Sequence, residues 1–344
     1  MTKVLVTGGS GFIAAHIVEQ LLAKGHSVVT TVRSEAKAAH IYKAHPELGK
    51  DRLQIEIVPE LTQPDAFDKT VQIPGIEIVL HTASPFHYRV TDPVKDLVDP
   101  AVIGTTGILK SIKKYAPQVR RVVITSSFAA ILDNDNWEQP STLYTEKSWN
   151  PVTIEDAKKD PGTGYRASKT LAEQAAWDFI KNEKPNFDLA TINPPAVLGP
   201  IAHHLESLSG INTSNERIVH ALTGVWKKDA KIPEPGVALI WVDVRDVAEA
   251  HILAGLEKPE LGGHRLFTTE GFFDNQQVLQ ILQKNFPQYA DRLPPAGTAG
   301  GLGPKEHFQY DNKETEKLLG IKWISLEKSI VDAVKSLQSL LDKA

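Results

Sequence analysis

Short apolar runs and amphipathic stretches alternate along the first half of the chain. Lys3–Thr7, Ser27–Val32, Leu53–Val58, Ile76–Thr82 and Arg121–Ser126 read as strands. Between them, Phe12–Lys24, Glu35–Ala44, Ala66–Val71 and Leu97–Tyr115 carry helical periodicity. Such alternation predicts a parallel sheet with helices on both faces, because parallel neighbours need a crossover and the crossover needs something to cover. The largely apolar runs Ile76–Leu80 and Val122–Ile124 suit strands buried on both faces.

The second half is less regular. Asp133–Pro151 is polar, aromatic and broken by proline, so it reads as loop. A helix is predicted over about Tyr165–Lys181 and a strand over Asp188–Asn193, which Pro194-Pro195 ends. Further helices are expected near Asn215–Leu222, Val244–Leu256 with Asp243 as N-cap, Asp274–Asn285 and Leu326–Leu341. Val237–Val242 reads as a strand and Pro294–Gly303 as loop. The expected fold class is α/β: a Rossmann-type doubly wound parallel sheet with a smaller, mostly C-terminal α/β domain for substrate. Residues 1–193 with about 237–257 are assigned to the first domain, and about 194–236 with 258–344 to the second.

Length supports that division, since 344 residues exceed what one hydrophobic core usually serves. A net charge of −4 gives no electrostatic footprint for nucleic acid or anionic lipid. The chain has no cysteine, which excludes disulfides, thiolate nucleophiles and Cys-type zinc sites. Met1–Thr7 leads straight into a glycine-rich turn rather than a secretion signal. No apolar run reaches the roughly 20 residues that a membrane helix needs. The expectation is a cytoplasmic protein, monomer or homodimer, without nucleic-acid or membrane partners. His81, His203, His204 and His220 show no ligand spacing, and no metal site is expected.

Chemistry enters at the first turn. Gly8, Gly11 and Ala14 have the spacing of a dinucleotide-binding turn between a strand and a helix. Small residues there permit the turn, let backbone N–H groups approach a pyrophosphate and let helix pack on strand. The alternative is a tight turn with no ligand. At the end of the second strand, where an NAD site usually carries an acid, stands Arg33, with Lys37 four residues on. Arg33 suits a 2′-phosphate and points to NADPH. It could also be a surface arginine beside Glu35.

Tyr165 and Lys169 stand at i and i+4, one face of a helix. A phenol with pKa of about 10 is a poor acid near neutrality, and a neighbouring ammonium corrects that. The same spacing also occurs on plain helix surfaces. Ser127 ends a buried strand at the carboxyl edge of the sheet, where it could hold a carbonyl oxygen or simply cap a turn.

Gly8-x-x-Gly11-x-x-Ala14, Ser127 and Tyr165-x-x-x-Lys169, in that order, resemble the extended short-chain dehydrogenase/reductases. The chain is similar to their dihydroflavonol-4-reductase-like branch, including yeast ketoreductases. The likeness runs through Val79–Phe86, Ile112–Ala116, Ser148–Pro151, Val242–Ala248 and Lys317–Gly320. The resemblance implies NADPH-dependent reduction of aldehydes and ketones. Tyr165 would be proton donor, Ser127 would orient the carbonyl, and Lys169 would hold the nicotinamide ribose. Cofactor contacts would come from Gly8, Ser10, Gly11, Phe12, Ile13, Arg33, Lys37, Glu60, Leu61, Thr82, Ala83, Ser84, Tyr165, Lys169, Pro194 and Val197. Phe86, Ser127, Leu132, Gly162, Tyr165 and Ala196 would line the substrate site, although Phe86 and Leu132 could equally be core.

Three departures stand out. Relatives often carry Asn on the long helix as part of a water relay; Val102-Ile103-Gly104 stands here, so the relay must differ. Glu60-Leu61 replaces an Asp followed by an apolar residue near the adenine. Ala196 replaces a common aromatic and implies a wider pocket. Two other functions compete. A nucleotide-sugar dehydratase needs an acid beside the catalytic hydroxyl, yet Phe128-Ala129-Ala130 follows Ser127, and an epimerase that keeps NAD tightly bound sits poorly with Arg33. A non-enzymatic NADP-binding sensor would typically lose Tyr or Lys.

Overall fold

The computed structural model describes residues 1–84, 90–133, 135–236, 239–303 and 306–343. The first half runs β1 (Lys3–Thr7), α1 (Phe12–Ala23), β2 (Ser27–Val32), α2 (Glu35–Ala44), β3 (Leu53–Ile57), α3 (Asp68–Val71), β4 (Ile76–His81), α4 (Asp99–Tyr115) and β5 (Arg121–Thr125). There follow β6 (Leu143–Tyr144), α5 (Pro161–Glu183), β7 (Asp188–Ile192), β8 (Ala196–Leu198), α6 (Glu216–Leu222), α7 (Val225–Lys228), β9 (Ile240–Asp243) and α8 (Val244–Ile252). The chain closes with β10 (Arg265–Leu266), β11 (Gly271–Phe272), α9 (Asn275–Asn285), β12 (Gln309–Tyr310), α10 (Lys313–Leu319) and α11 (Leu326–Leu341).

Seven parallel strands form the large sheet in the order β10-β7-β5-β4-β1-β2-β3. The order reverses between β1 and β4, which leaves a crevice beyond their carboxyl ends. Val6 pairs with both Thr30 and Leu80, so these three strands end at one level. Ile17, Leu21, Val247 and Ala248 from α1 and α8 cover one face of the sheet. Ile108, Leu109, Ile112, Ala176 and Phe179 from α4 and α5 cover the other. No helix among the described residues is long and apolar enough to cross a membrane.

A second sheet has three strands, β11-β9-β8, packed with α6, α9 and α11. Here the structure corrects the expected partition. The strand foreseen over Val237–Val242 does not return to the large sheet; β9 pairs with β8 and β11. α8 returns to pack on α1, and the helical turn Leu253–Glu257 after it packs on β4 and β5. Conversely β10, from the segment assigned wholly to the second domain, adds the seventh strand of the large sheet. Ile240, Trp241 and Val242 are fully buried, and an apolar strand suits either sheet, so burial alone could not choose the partner. β10 has two residues, too few to leave a period.

Helix α5 starts four residues before its expected position. Asp160 caps it, accepting from Thr163 N at 2.9 Å, and Pro161 occupies the first turn. Gly162 and Gly164 hide the helical pattern there. Gly164 has a steric reason: a Cβ at that position would stand 2.5 Å from Pro93 Cβ.

Glu173, two turns beyond Tyr165 on α5, ties this helix to the sheet. Its carboxylate is fully buried and pairs with Arg265 Nε of β10 at 2.6 Å. It also accepts from Ser126 Oγ, from Thr191 Oγ1 at 3.1 Å and from Asn193 Nδ2 at 2.7 Å. Arg265 further donates to the carbonyls of Glu146 at 2.8 Å and Ser148 at 2.5 Å, and lies 3.7 Å from the Trp149 ring centroid. Removing one partner strands a charge away from water. Glu173→Ala is expected to lower stability by about 3–5 kcal/mol, read from the denaturant midpoint at unchanged slope. A loss below about 1 kcal/mol would show that water replaces the carboxylate there.

Candidate functional site

The glycine turn begins where β1 ends. Gly8 has φ 76°, and Gly11 N donates to Gly8 O at 2.8 Å to close the turn. The tightest approach belongs to Gly9, outside the expected spacing: a Cβ there would lie 2.1 Å from Thr30 Oγ1 of β2. That hydroxyl is held in place by donating to Val6 O at 2.7 Å. Gly11 caps α1 without a side chain, so the helix's first N–H groups stay available. With the positive end of the helix dipole behind them, they fit a pyrophosphate. Gly9, Ser10, Gly11 and Phe12 open onto a cleft of about 900 Å³ that Lys37 also lines. Ile13 is half-buried beside it.

Arg33 follows the end of β2 and is exposed, with no ion pair to Glu35 among the described residues. Ser34 caps α2, accepting from Lys37 N at 3.4 Å, and Lys37 lines the cleft. Glu60 accepts from Thr62 Oγ1 at 2.7 Å and Thr62 N at 3.0 Å. Those bonds, and more weakly Arg33, hold its carboxyl below the usual range. Leu61 is buried against α4, where Gly104 makes room: a Cβ there would stand 2.2 Å from Leu61 Cδ1.

Lys169 and Tyr165 share one face of α5, with Lys169 Nζ 5.8 Å from the phenol ring centroid. Nζ donates to Ser84 Oγ at 3.3 Å, just past β4. Burial pushes the Lys169 ammonium down to about 8. Thr7 organises this edge. Its hydroxyl takes the N–H groups of Thr82 at 3.2 Å and Ala83 at 3.1 Å and bonds His81 Nδ1 at 2.8 Å. Ser127 follows β5, and its Oγ accepts from Ala129 N at 3.1 Å to start a short turn. The capping reading of Ser127 is therefore correct, and it leaves the hydroxyl proton to donate. That turn rests on α5, where Thr170 Oγ1 donates to Ala129 O at 3.4 Å.

Behind Lys169 lies a cavity of about 20 Å³, lined by His81, Ser84, Thr105, Ser126, Lys169 and Glu173. It is the size of a single water. His81 is 2% exposed, and its Nε2 is buried with no partner among the described residues. Burial first, and Lys169 second, push His81 down to about 4, so the ring is neutral. Ile103 is 43% exposed and does not line this cavity. Ala101 and Thr105 are the α4 residues that reach the cavity.

The expected substrate residues are more scattered. Leu132 is 3% exposed in a cluster with Phe128, Tyr144, Phe267 and Phe308, so its core reading holds in the structure. Gly162 is exposed on the first turn of α5, and Ala196 is half-buried at the start of β8. Pro194 is buried and its carbonyl accepts from Phe128 N at 2.9 Å, while Val197 is 7% exposed. Phe86 lies outside the described residues. The sequence reading missed His81, Thr105, Glu173 and Arg265 as site-building groups. A glutamate in the apolar stretch Leu171–Ala176, one turn past Lys169, was the available signal.

Residues 4–266 match the model of the NAD dependent epimerase/dehydratase family. The ketoreductase azaE of Aspergillus niger is 44% identical over 97% of both chains. The NADPH-dependent methylglyoxal reductase GRE2 of Saccharomyces cerevisiae is 40% identical over 97% of this chain and 98% of the other. The crystal structure of yeast methylglyoxal/isovaleraldehyde reductase Gre2 complexed with NADPH superposes with a TM-score of 0.88, at 37% identity and full coverage of both chains. The chain thus belongs to the NAD dependent epimerase/dehydratase family, the extended short-chain dehydrogenase/reductases, on the side of its NADPH-dependent carbonyl reductases.

Proposed function

We propose that this oxidoreductase reduces aldehydes and ketones to alcohols at the expense of NADPH, with Tyr165 as the proton donor. The observation that carries the reading is Lys169: an ammonium anchored on Ser84 at the carboxyl edge of the sheet, beside the Tyr165 ring on the same helix face. The relatives' names support NADPH and a carbonyl substrate.

The glycine turn and the open N-terminus of α1 would hold the pyrophosphate, and Arg33 with Lys37 the 2′-phosphate. NADPH held there would supply the hydride for the carbonyl carbon. Ser127 donates a hydrogen bond that fixes the carbonyl oxygen, where negative charge develops. Tyr165 delivers its phenolic proton to that oxygen, and the alcohol forms. Lys169 lowers the cost of the phenolate left behind, because an adjacent cation favours the charged form. A water in the cavity between Lys169 Nζ, His81 Nε2 and Thr105 would satisfy the orphaned His81 nitrogen. It would also give Lys169 a path for its own proton. The turn after Ser127 carries no acid, and Phe128 is buried, stacked on Phe267 at 5.1 Å, which disfavours dehydration chemistry.

Tyr165→Phe is expected to cut carbonyl-dependent NADPH oxidation by roughly 10²–10⁴-fold while cofactor affinity stays nearly the same. Turnover retained at the native level would remove Tyr165 from the reaction. Arg33→Ala should weaken NADPH binding roughly 10- to 100-fold, the worth of charged hydrogen bonds to a phosphate, and leave NADH binding nearly untouched. Equal losses for both cofactors would place the 2′-phosphate elsewhere.

Lys169→Met separates activity from stability. The folded protein holds this ammonium at about 8, below its ordinary value near 10.5, so the charged form is disfavoured in the fold. Between those values the unfolded chain binds more protons, and native stability rises with pH. Below about pH 8 both states are protonated and the cost is fully present. With NADPH the variant should be nearly inactive, yet its cofactor-free form should melt higher than the cofactor-free parent at pH 7, with the gap closing as pH rises toward 10. A gap that is constant over that range would refute the burial cost.

A further inference from the structure

The cleft beside the glycine turn has a second chemistry on its wall. Ser34, Lys37, His40, Ile41 and Ala44 present one face of α2 to it, and the segment from Ala202 to Asn212 lies opposite. The rings of His40 and His204 stack across this gap, with centroids 3.8 Å apart and planes 15° from parallel. Glu206 joins them: one ligand atom from each of the three residues lies within 4.8 Å of the others. Among the described residues none of these three side chains has a hydrogen-bond or ion-pair partner, so their nitrogen and oxygen atoms are uncommitted.

We propose that His40, His204 and Glu206 form a site for a divalent transition metal of the zinc type. Two neutral imidazoles and a carboxylate are a recognised three-ligand set for zinc, which leaves its fourth position to water. Magnesium and calcium prefer all-oxygen sites and fit poorly. Bonds of about 2.0–2.1 Å put tetrahedral ligand atoms about 3.3 Å apart, so the three must draw together by an ångström or so. The segment that carries His204 and Glu206 is irregular and largely exposed, and can make that movement. Metal would thus cross-link α2 to this segment over the cleft that receives the cofactor's phosphates. His204 taken with its sequence neighbours shows no ligand spacing; its partner His40 comes from a distant helix.

The test is titration of zinc chloride into the full, untagged, cofactor-free chain, followed by calorimetry in a buffer that does not chelate. One equivalent should bind saturably. His40→Ala and His204→Ala should each weaken binding roughly tenfold or more, since even second-shell losses at metal sites cost 10- to 100-fold. Glu206→Gln should also weaken it, while the exposed His220→Ala should not. Parent-like circular dichroism and melting in the absence of zinc would certify that the variants are folded. Anomalous scattering at the zinc edge from soaked crystals should place the ion between His40 and His204, whatever the variants' stability. Absence of saturable binding, affinity indifferent to both histidines, or zinc located elsewhere would overturn the proposal.

Discussion

The fully buried carboxylate of Glu173 sits where α5, the ends of β5 and β7, and β10 converge. A buried charge persists only when its hydrogen bonds are made, and here Arg265, Ser126, Thr191 and Asn193 make them. The consequence is geometric. Lys169 stands one turn before Glu173 on α5 and Tyr165 two turns before it, so anchoring Glu173 to the sheet sets the height and rotation of both. Ser127 follows Ser126 directly and is placed by the same carboxylate. Arg265 extends the tie to the loop carbonyls of Glu146 and Ser148.

A second constraint governs the other side of the crevice. Thr7 and Thr30 lie at the ends of neighbouring strands and spend their hydroxyls on backbone. Thr30 stands so near Gly9 that no side chain fits there. Thr7 gathers the backbone after β4 and orients His81. Two small hydroxyls therefore fix the glycine turn, the floor of the cleft and the cavity behind Lys169. That cavity also reconciles the long helix with the chemistry. Thr105, not Ile103, lines that cavity together with Lys169.

Much of this was legible in the chain itself. Repeating apolar strands with amphipathic helices between them specify a doubly wound sheet through local periodicity alone. Glycine spacing, Arg33 and the Tyr165–Lys169 pair suggest their chemistry in the sequence because each involves only a turn or two of backbone, where spacing equals geometry. The boundaries of α1, α2 and α11 follow from caps and periods in the same way.

What tertiary structure decided is everything that depends on partners distant in sequence. Whether β9 joins the large sheet or the small one turns on which edge is free, and its buried apolar residues suit either. β10 exists as a strand only because β7 offers it two residues of pairing. Leu132 becomes core through Phe267 and Phe308, and His40 meets His204 across the cleft. Ile103 and Thr105 differ in exposure by which side of α4 packs inward. Local patterns determined which elements form and which atoms can react; long-range packing determined which of those atoms meet, since no period in the sequence encodes a contact between distant segments.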